Sequence, residues 1–197
     1  MFGLLFLIGC SSSQTFLDPG FANSGGQHYK RIVLVLEPGE LDRAAHALLL
    51  GTSLEYIGHH KEYILYGAGI ERAERRAAGF CAGGDYEADA YLLLKVERAT
   101  LEGARFLFSV KAGLHDCADD SKLWAAEYGS AYPRYDQDLA ATIRGFQNRY
   151  GVQTGPFIPG VYLITRELFE SLPDPELSGD DILEKIDIDA RGPRLDL

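Results

Sequence analysis

Apolar and polar positions divide this chain into short blocks of distinct period. Lys30-Arg31-Ile32-Val33-Leu34-Val35-Leu36 is an unbroken, β-branched-rich run, the signature of a central strand buried on both faces. Pro38-Gly39 ends it. From Glu40 to Lys61 the apolar positions Leu41, Ala44, Ala45, Leu48 and Leu49 follow helical spacing. Glu40 and Asp42 suit the positive end of that helix dipole. Tyr63-Ile64-Leu65-Tyr66 predicts a second short strand closed by Gly67-Ala68-Gly69, and Ile70 to Ala78 predicts a second helix.

The pattern then changes. Asp89 to Ala99 and Ala104 to His115 read as two longer strands, and the four residues 100–103 between them allow only an antiparallel hairpin. Asp119-Asp120-Ser121 turns the chain into a third antiparallel strand, Lys122 to Tyr128, in which Trp124 is expected to be buried. Tyr135 to Tyr150 predicts a helix with Leu139, Ile143, Phe146 and Tyr150 as its stripe. Pro156, Pro159 and Gly160 break the chain again, and a short helix follows from Thr165 to Ser171. The order β-α-β-α-β-β-β-α predicts an α/β single domain. Its first strands run parallel across helical crossovers and its last three form a meander, giving a mixed, mostly five-stranded sheet packed by helices.

The amino terminus has a different character. Met1 to Gly9 is apolar and uncharged, and Leu7-Ile8-Gly9-Cys10 resembles a lipobox, in which a small residue admits the signal peptidase and the cysteine receives diacylglycerol. Acyl chains contribute about 0.8 kcal/mol per buried methylene, enough to hold a soluble domain at a bilayer. No Lys or Arg precedes Cys10, so the basic part of a signal peptide is expected further upstream. The expected organisation is a signal and lipobox cysteine over 1–10, a flexible tether over 11–28, the α/β domain over 29–172 and an acidic extension over 173–197. Ser11 stands where aspartate would signal inner-membrane retention, which points to the periplasmic face of the outer membrane.

Charge sharpens this picture. The chain carries a net −10, and from Glu167 to Leu197 there are ten acidic residues against three basic ones. A phosphate backbone is repelled by such a surface, so nucleic acid is excluded as a partner. The acidic stretch reads as a solvated tail.

The strand Arg31 to Leu36 with its following helix and second strand, then Asp89-Ala90-Tyr91-Leu92-Leu93-Leu94 and a strand ending Lys122-Leu123-Trp124, resembles a domain shared by several envelope proteins. These are the amino-terminal part of TolB, curli-secretion lipoproteins and penicillin-binding-protein activator lipoproteins. Leu172-Pro173-Asp174-Pro175 followed by Glu184-Lys185-Ile186 resembles a family of uncharacterised outer-membrane lipoproteins of diderm bacteria. The resemblance implies a fold and a location more than an activity. Curli-type pores need long amphipathic membrane hairpins, and none stands out in this sequence.

Candidate chemistry is sparse. Cys81 and Cys117 remain after the anchor; in an oxidising compartment an even pair favours a disulfide, and hairpin closure would bring them to one end. His59-His60 are adjacent, which suits a solvated helix end better than shared ligation of a metal. His115-Asp116-Cys117 with Asp119 and Asp120 is the densest polar cluster, yet it lacks calcium-loop spacing and falls on a turn where aspartate is expected. Gly67-Ala68-Gly69 sits where a dinucleotide loop would, but Arg72 occupies the third glycine position. No nucleophile elbow or cysteine-protease signature is present. The expectation is therefore an anchored, non-catalytic accessory module with no metal, no cofactor and protein partners in the envelope. The alternatives are a ligand-binding domain with a pocket near Gly67 or under Pro156–Gly160, and a hydrolase with an unrecognised site.

Overall fold

The computed structural model describes residues 12–24, 28–37, 39, 41, 43–71, 76–83, 86–192 and 194–196 of the 197-residue chain. Strand β1 spans Ser12–Leu17 and helix α1 Pro19–Ser24. Strand β2 (Arg31–Glu37) has its five central residues fully buried, as its apolar run requires. Helix α2 (Arg43–His60) crosses over to β3 (Ile64–Ile70), which lies parallel to β2. A small hairpin, β4 (Ala82–Gly83) and β5 (Tyr86–Glu87), precedes β6 (Ala90–Glu102), β7 (Arg105–Asp116) and β8 (Lys122–Pro133). Helices α3 (Ala140–Tyr150), α4 (Ile158–Glu170) and α5 (Gly179–Arg191) follow, and β9 (Arg194–Asp196) ends the described chain.

The sheet is mixed and seven-stranded, in the order β1-β8-β7-β6-β2-β3-β9. Its five inner strands are the five expected, with β2, β3 and β6 parallel and β6-β7-β8 an antiparallel meander. An additional strand lies at each edge. One sheet face is packed by α2, α3 and α4, and there Leu34, Leu92, Phe106, Phe108 and Trp124 meet Leu48, Leu49 and Phe169 in the main core. The opposite face holds a smaller cluster of Val33, Val35, Phe80, Cys81 and Tyr91. Among the described residues no helix is long and apolar enough to cross a membrane.

Three segments depart from the sequence expectation. Residues read as a flexible tether form β1, which pairs antiparallel with β8 from Ser12↔Gly129 to Leu17↔Trp124. Gly67-Ala68-Gly69 does not close a strand but lies inside β3, which runs on to Ile70; of the helix expected over Ile70 to Ala78, residues 72–75 lie outside the described residues, and Ala77–Phe80 form a 3₁₀ turn. The cause is packing: the Phe80 ring lies against Gly69, where an added Cβ would stand 2.2 Å from Phe80 Cε1. The glycine thus admits an aromatic ring rather than a phosphate. Third, Pro159 starts α4 instead of breaking the chain, because proline is accepted in a helix's first turn. Gly160 lets that turn approach β7 closely, since a Cβ there would be 2.7 Å from Phe106 Cδ1.

The acidic extension is also structured. Ser178 caps α5 with a capping box, its hydroxyl accepting from Asp181 N–H while the Asp181 carboxylate accepts from Ser178 N–H. The solvated-tail reading fails over 179–191 because Asp181 and Glu184 find cations, Lys30 and Arg31, at the start of β2.

Candidate functional site

Cys10 lies outside the described residues. Cys81 and Cys117 are brought together as a disulfide with their Cα atoms 5.7 Å apart. The bridge fastens the 3₁₀ turn at Ala77–Phe80 to the end of β7. Nearby, the Asp89 carboxylate accepts from the backbone N–H groups of Lys30 (2.9 Å) and Arg31 (2.7 Å) and so fixes the entry to β2.

The polar cluster beside Cys117 is used locally. Asp116 accepts from Tyr29 Oη at 2.8 Å and from Ala118 N–H at 2.6 Å, and Asp119 accepts from Ser121 N–H at 2.8 Å. Burial and then the Asp116 hydrogen bond push the Tyr29 hydroxyl up to about 12. Tyr91 donates to Asp120, and its ring stacks on His115 at 5.0 Å. These contacts are turn chemistry and ring packing. Among the described residues no group of three or more His, Cys, Asp or Glu side chains could hold a metal ion.

An open cleft of about 630 Å³ lies between α2, α3 and α4, away from both places where a pocket was expected. Tyr56, Phe146 and Tyr162 supply aromatic surface, Arg149 and Arg166 outnumber the single acid Glu55, and His59 and His60 also line it. Arg149 pairs with Glu55 at 2.8 Å, and the His60 ring lies tilted against Tyr56 with centroids 4.8 Å apart. Thr165 also lines the cleft, and its buried hydroxyl has no hydrogen-bond partner among the described residues. Sequence reasoning missed this cleft because its walls come from three helices whose residues are separated by up to about a hundred positions.

Two outer surfaces complete the inventory. Strand β1 is a sheet edge without a charged residue or proline, and Phe16 (48 %) and Leu17 (43 %) are exposed on it. Edges of this kind offer unpaired backbone groups to another chain. At the far side α5 docks through charge. Lys30 Nζ reaches Asp181 at 2.6 Å, and Arg31 reaches Asp181 at 3.1 Å and Glu184 at 2.5 Å. Tyr66 also donates to Glu184, and Lys185 donates to the Tyr63 carbonyl at 2.8 Å. The hydrogen bonds from Lys30 and Ser178 hold the Asp181 carboxyl well below the usual carboxylate range. Burial alone would raise Glu184, but Arg31 and Tyr66 outweigh it and lower its pKa. Burial, then the Glu184 hydrogen bond, pushes Tyr66 up to about 12.

No family model matches the chain, and no curated protein matches it. Solved structures that align with the chain include the PelC dodecamer of Paraburkholderia phytofirmans, 15% identical, with a TM-score of 0.41 over 75% of this chain and 96% of that one. Lipoprotein GNA1162 of Neisseria meningitidis is 15% identical, with a TM-score of 0.35 over 60% of this chain and 96% of that one. Protein XCC0632 of Xanthomonas campestris, of family DUF330, is 16% identical, with a TM-score of 0.35 over 72% of this chain and 88% of that one. The neighbours thus include a bacterial lipoprotein. Identities and scores this low assign neither family nor activity.

Proposed function

We propose that the chain is a lipoprotein of a bacterial envelope, anchored through acylated Cys10 to the periplasmic face of the outer membrane. It acts there by binding, as a non-catalytic accessory module without a cofactor, in an assembly, transport or secretion system. The observation that carries the anchor is Leu7-Ile8-Gly9-Cys10, an apolar stretch and a small residue directly before a cysteine. Binding is favoured by the uncharged β1 edge, which is open to strand addition. His115, Asp116, Asp119 and Asp120, singled out from the sequence, serve ring packing and turns, and Cys81 and Cys117 form the disulfide. Partners are envelope proteins and the bilayer, not nucleic acid.

Metabolic labelling with an alkyne fatty acid tests the anchor. The wild type should be labelled and sediment with membranes, whereas Cys10→Ala should be unlabelled. Equal labelling of both forms contradicts the proposal, and recovery of the wild type from inner membranes alone contradicts the sorting assigned to Ser11.

A second reading, a small-ligand module, is favoured by the α2/α3/α4 cleft, whose volume of about 630 Å³ falls in the range of ligand sites. Its cationic and aromatic lining would take an anionic, ring-bearing molecule. Titration of the protein with glucuronate should then perturb the resonances of Tyr56 and Tyr162. Unchanged resonances at millimolar glucuronate would remove this reading.

A further inference from the structure

Helix α5 is docked with its charged side inward. Asp181, Glu184 and Lys185 face the sheet, while Ile182 (47 %), Leu183 (66 %) and Ile186 (60 %) are exposed. At about 100° per residue these three aliphatics form one outward stripe. Asp180 and Asp187 flank the stripe on one side and Asp189 on the other. Among the described residues, Arg191 pairs with Asp187 at 2.5 Å and Lys185 with Asp189 at 3.6 Å, which offsets two of these three acids and leaves the charge of Asp180 in excess. The rim is therefore net acidic.

Three occupants could cover such a stripe, and two fit poorly. In the anchored protein Cys10 precedes β1 by two residues; β1 is one sheet edge, and β3, against which α5 packs, lies beside the other edge, β9. Five strand spacings separate β1 from β3, roughly 24 Å, so the stripe lies far from the anchor's attachment point, and its acidic rim is repelled by anionic lipid. A second copy would bring two net acidic rims and two chains of net −10 together. One face of a 13-residue helix also falls short of the roughly 800 Å² per partner of a stable interface. It matches the footprint of a single helical segment laid along it.

We propose that the outward face of α5 docks an amphipathic segment of a partner protein whose apolar side chains are flanked by lysine or arginine. The proposal deepens the binding-module reading, and its argument against the bilayer rests on anchoring at Cys10. Its test uses the full-length Cys10→Ala chain and three labelled synthetic amphipathic helices that share one leucine stripe, flanked by Lys, Gln or Glu. The Lys-flanked peptide should bind at least about tenfold more tightly than the Glu-flanked one. The variant Ile182→Ser/Leu183→Ser/Ile186→Ser keeps every charge, and it should weaken binding of the Lys peptide by about tenfold or more. A circular-dichroism melt matching that of Cys10→Ala alone confirms that the variant is folded. Equal binding by both chains overturns the proposal, because attraction then needs only net charge. So does a concentration-dependent dimer of the Cys10→Ala chain that the serine variant abolishes, which makes the occupant a second copy. Either failure leaves the anchor reading standing if Cys10 is acylated.

Discussion

Trp124 is 1 % exposed on the helix-covered face of β8, and its indole Nε1–H donates to the Ser171 carbonyl at 3.1 Å. The side chain therefore contributes both apolar area and a satisfied polar handle, so Trp124→Ala should lower unfolding free energy by about 3–5 kcal/mol in a denaturant titration. As the single tryptophan, it should also emit at short wavelength in the native protein and shift to the red on unfolding. Cys81 and Cys117 close a loop of sequence separation 36, a cross-link expected to stabilise by about 2–4 kcal/mol. Thiol counting on the unfolded, unreduced mature protein should find neither cysteine free. Finding both free would contradict the bridge. These residues were legible because their local setting decides their role: an aromatic in an apolar strand, and two cysteines at one end of a hairpin. Gly67 and Gly69 were not, since the reason for glycine at position 69 is the Phe80 ring, supplied by a turn eleven residues away.

At the scale of elements, α5 shows where reading by composition fails. Its acids look solvated in sequence, but the cations that pair with Asp181 and Glu184, Lys30 and Arg31, stand about 150 positions earlier at the start of β2. The folded pKa values of Asp181 and Glu184 lie below the ordinary 3.8 and 4.5, so these groups stabilise the docked helix above those values. That contribution is lost as pH falls through the folded values. Hydrogen-exchange protection factors across 179–191 should therefore fall below about pH 4, before those of the β6–β7 hairpin do. Asp181→Asn should produce the same local loosening at neutral pH, and unchanged protection there would show that α5 is held by packing alone. Strand β1 was hidden for a related reason. Its polar, glycine-bordered surroundings read as a tether, while the pairing partner that orders it, β8, lies more than a hundred residues away.

For the whole molecule, the five inner strands were readable because each carries its own apolar pattern, whereas both edge strands depend on neighbours distant in sequence. Ordering of β1 gives the anchor a structural consequence. With only Ser11 between Cys10 and the first strand, the anchor would hold the domain close to the membrane by the amino-terminal end of β1. The central claim is the acylated Cys10. Intact-mass analysis of the amino-terminal peptide from membrane-purified native protein tests it most directly. The mature chain should begin at Cys10 and carry diacylglycerol on its sulfur. A peptide that continues unmodified through Gly9-Cys10-Ser11 would contradict it.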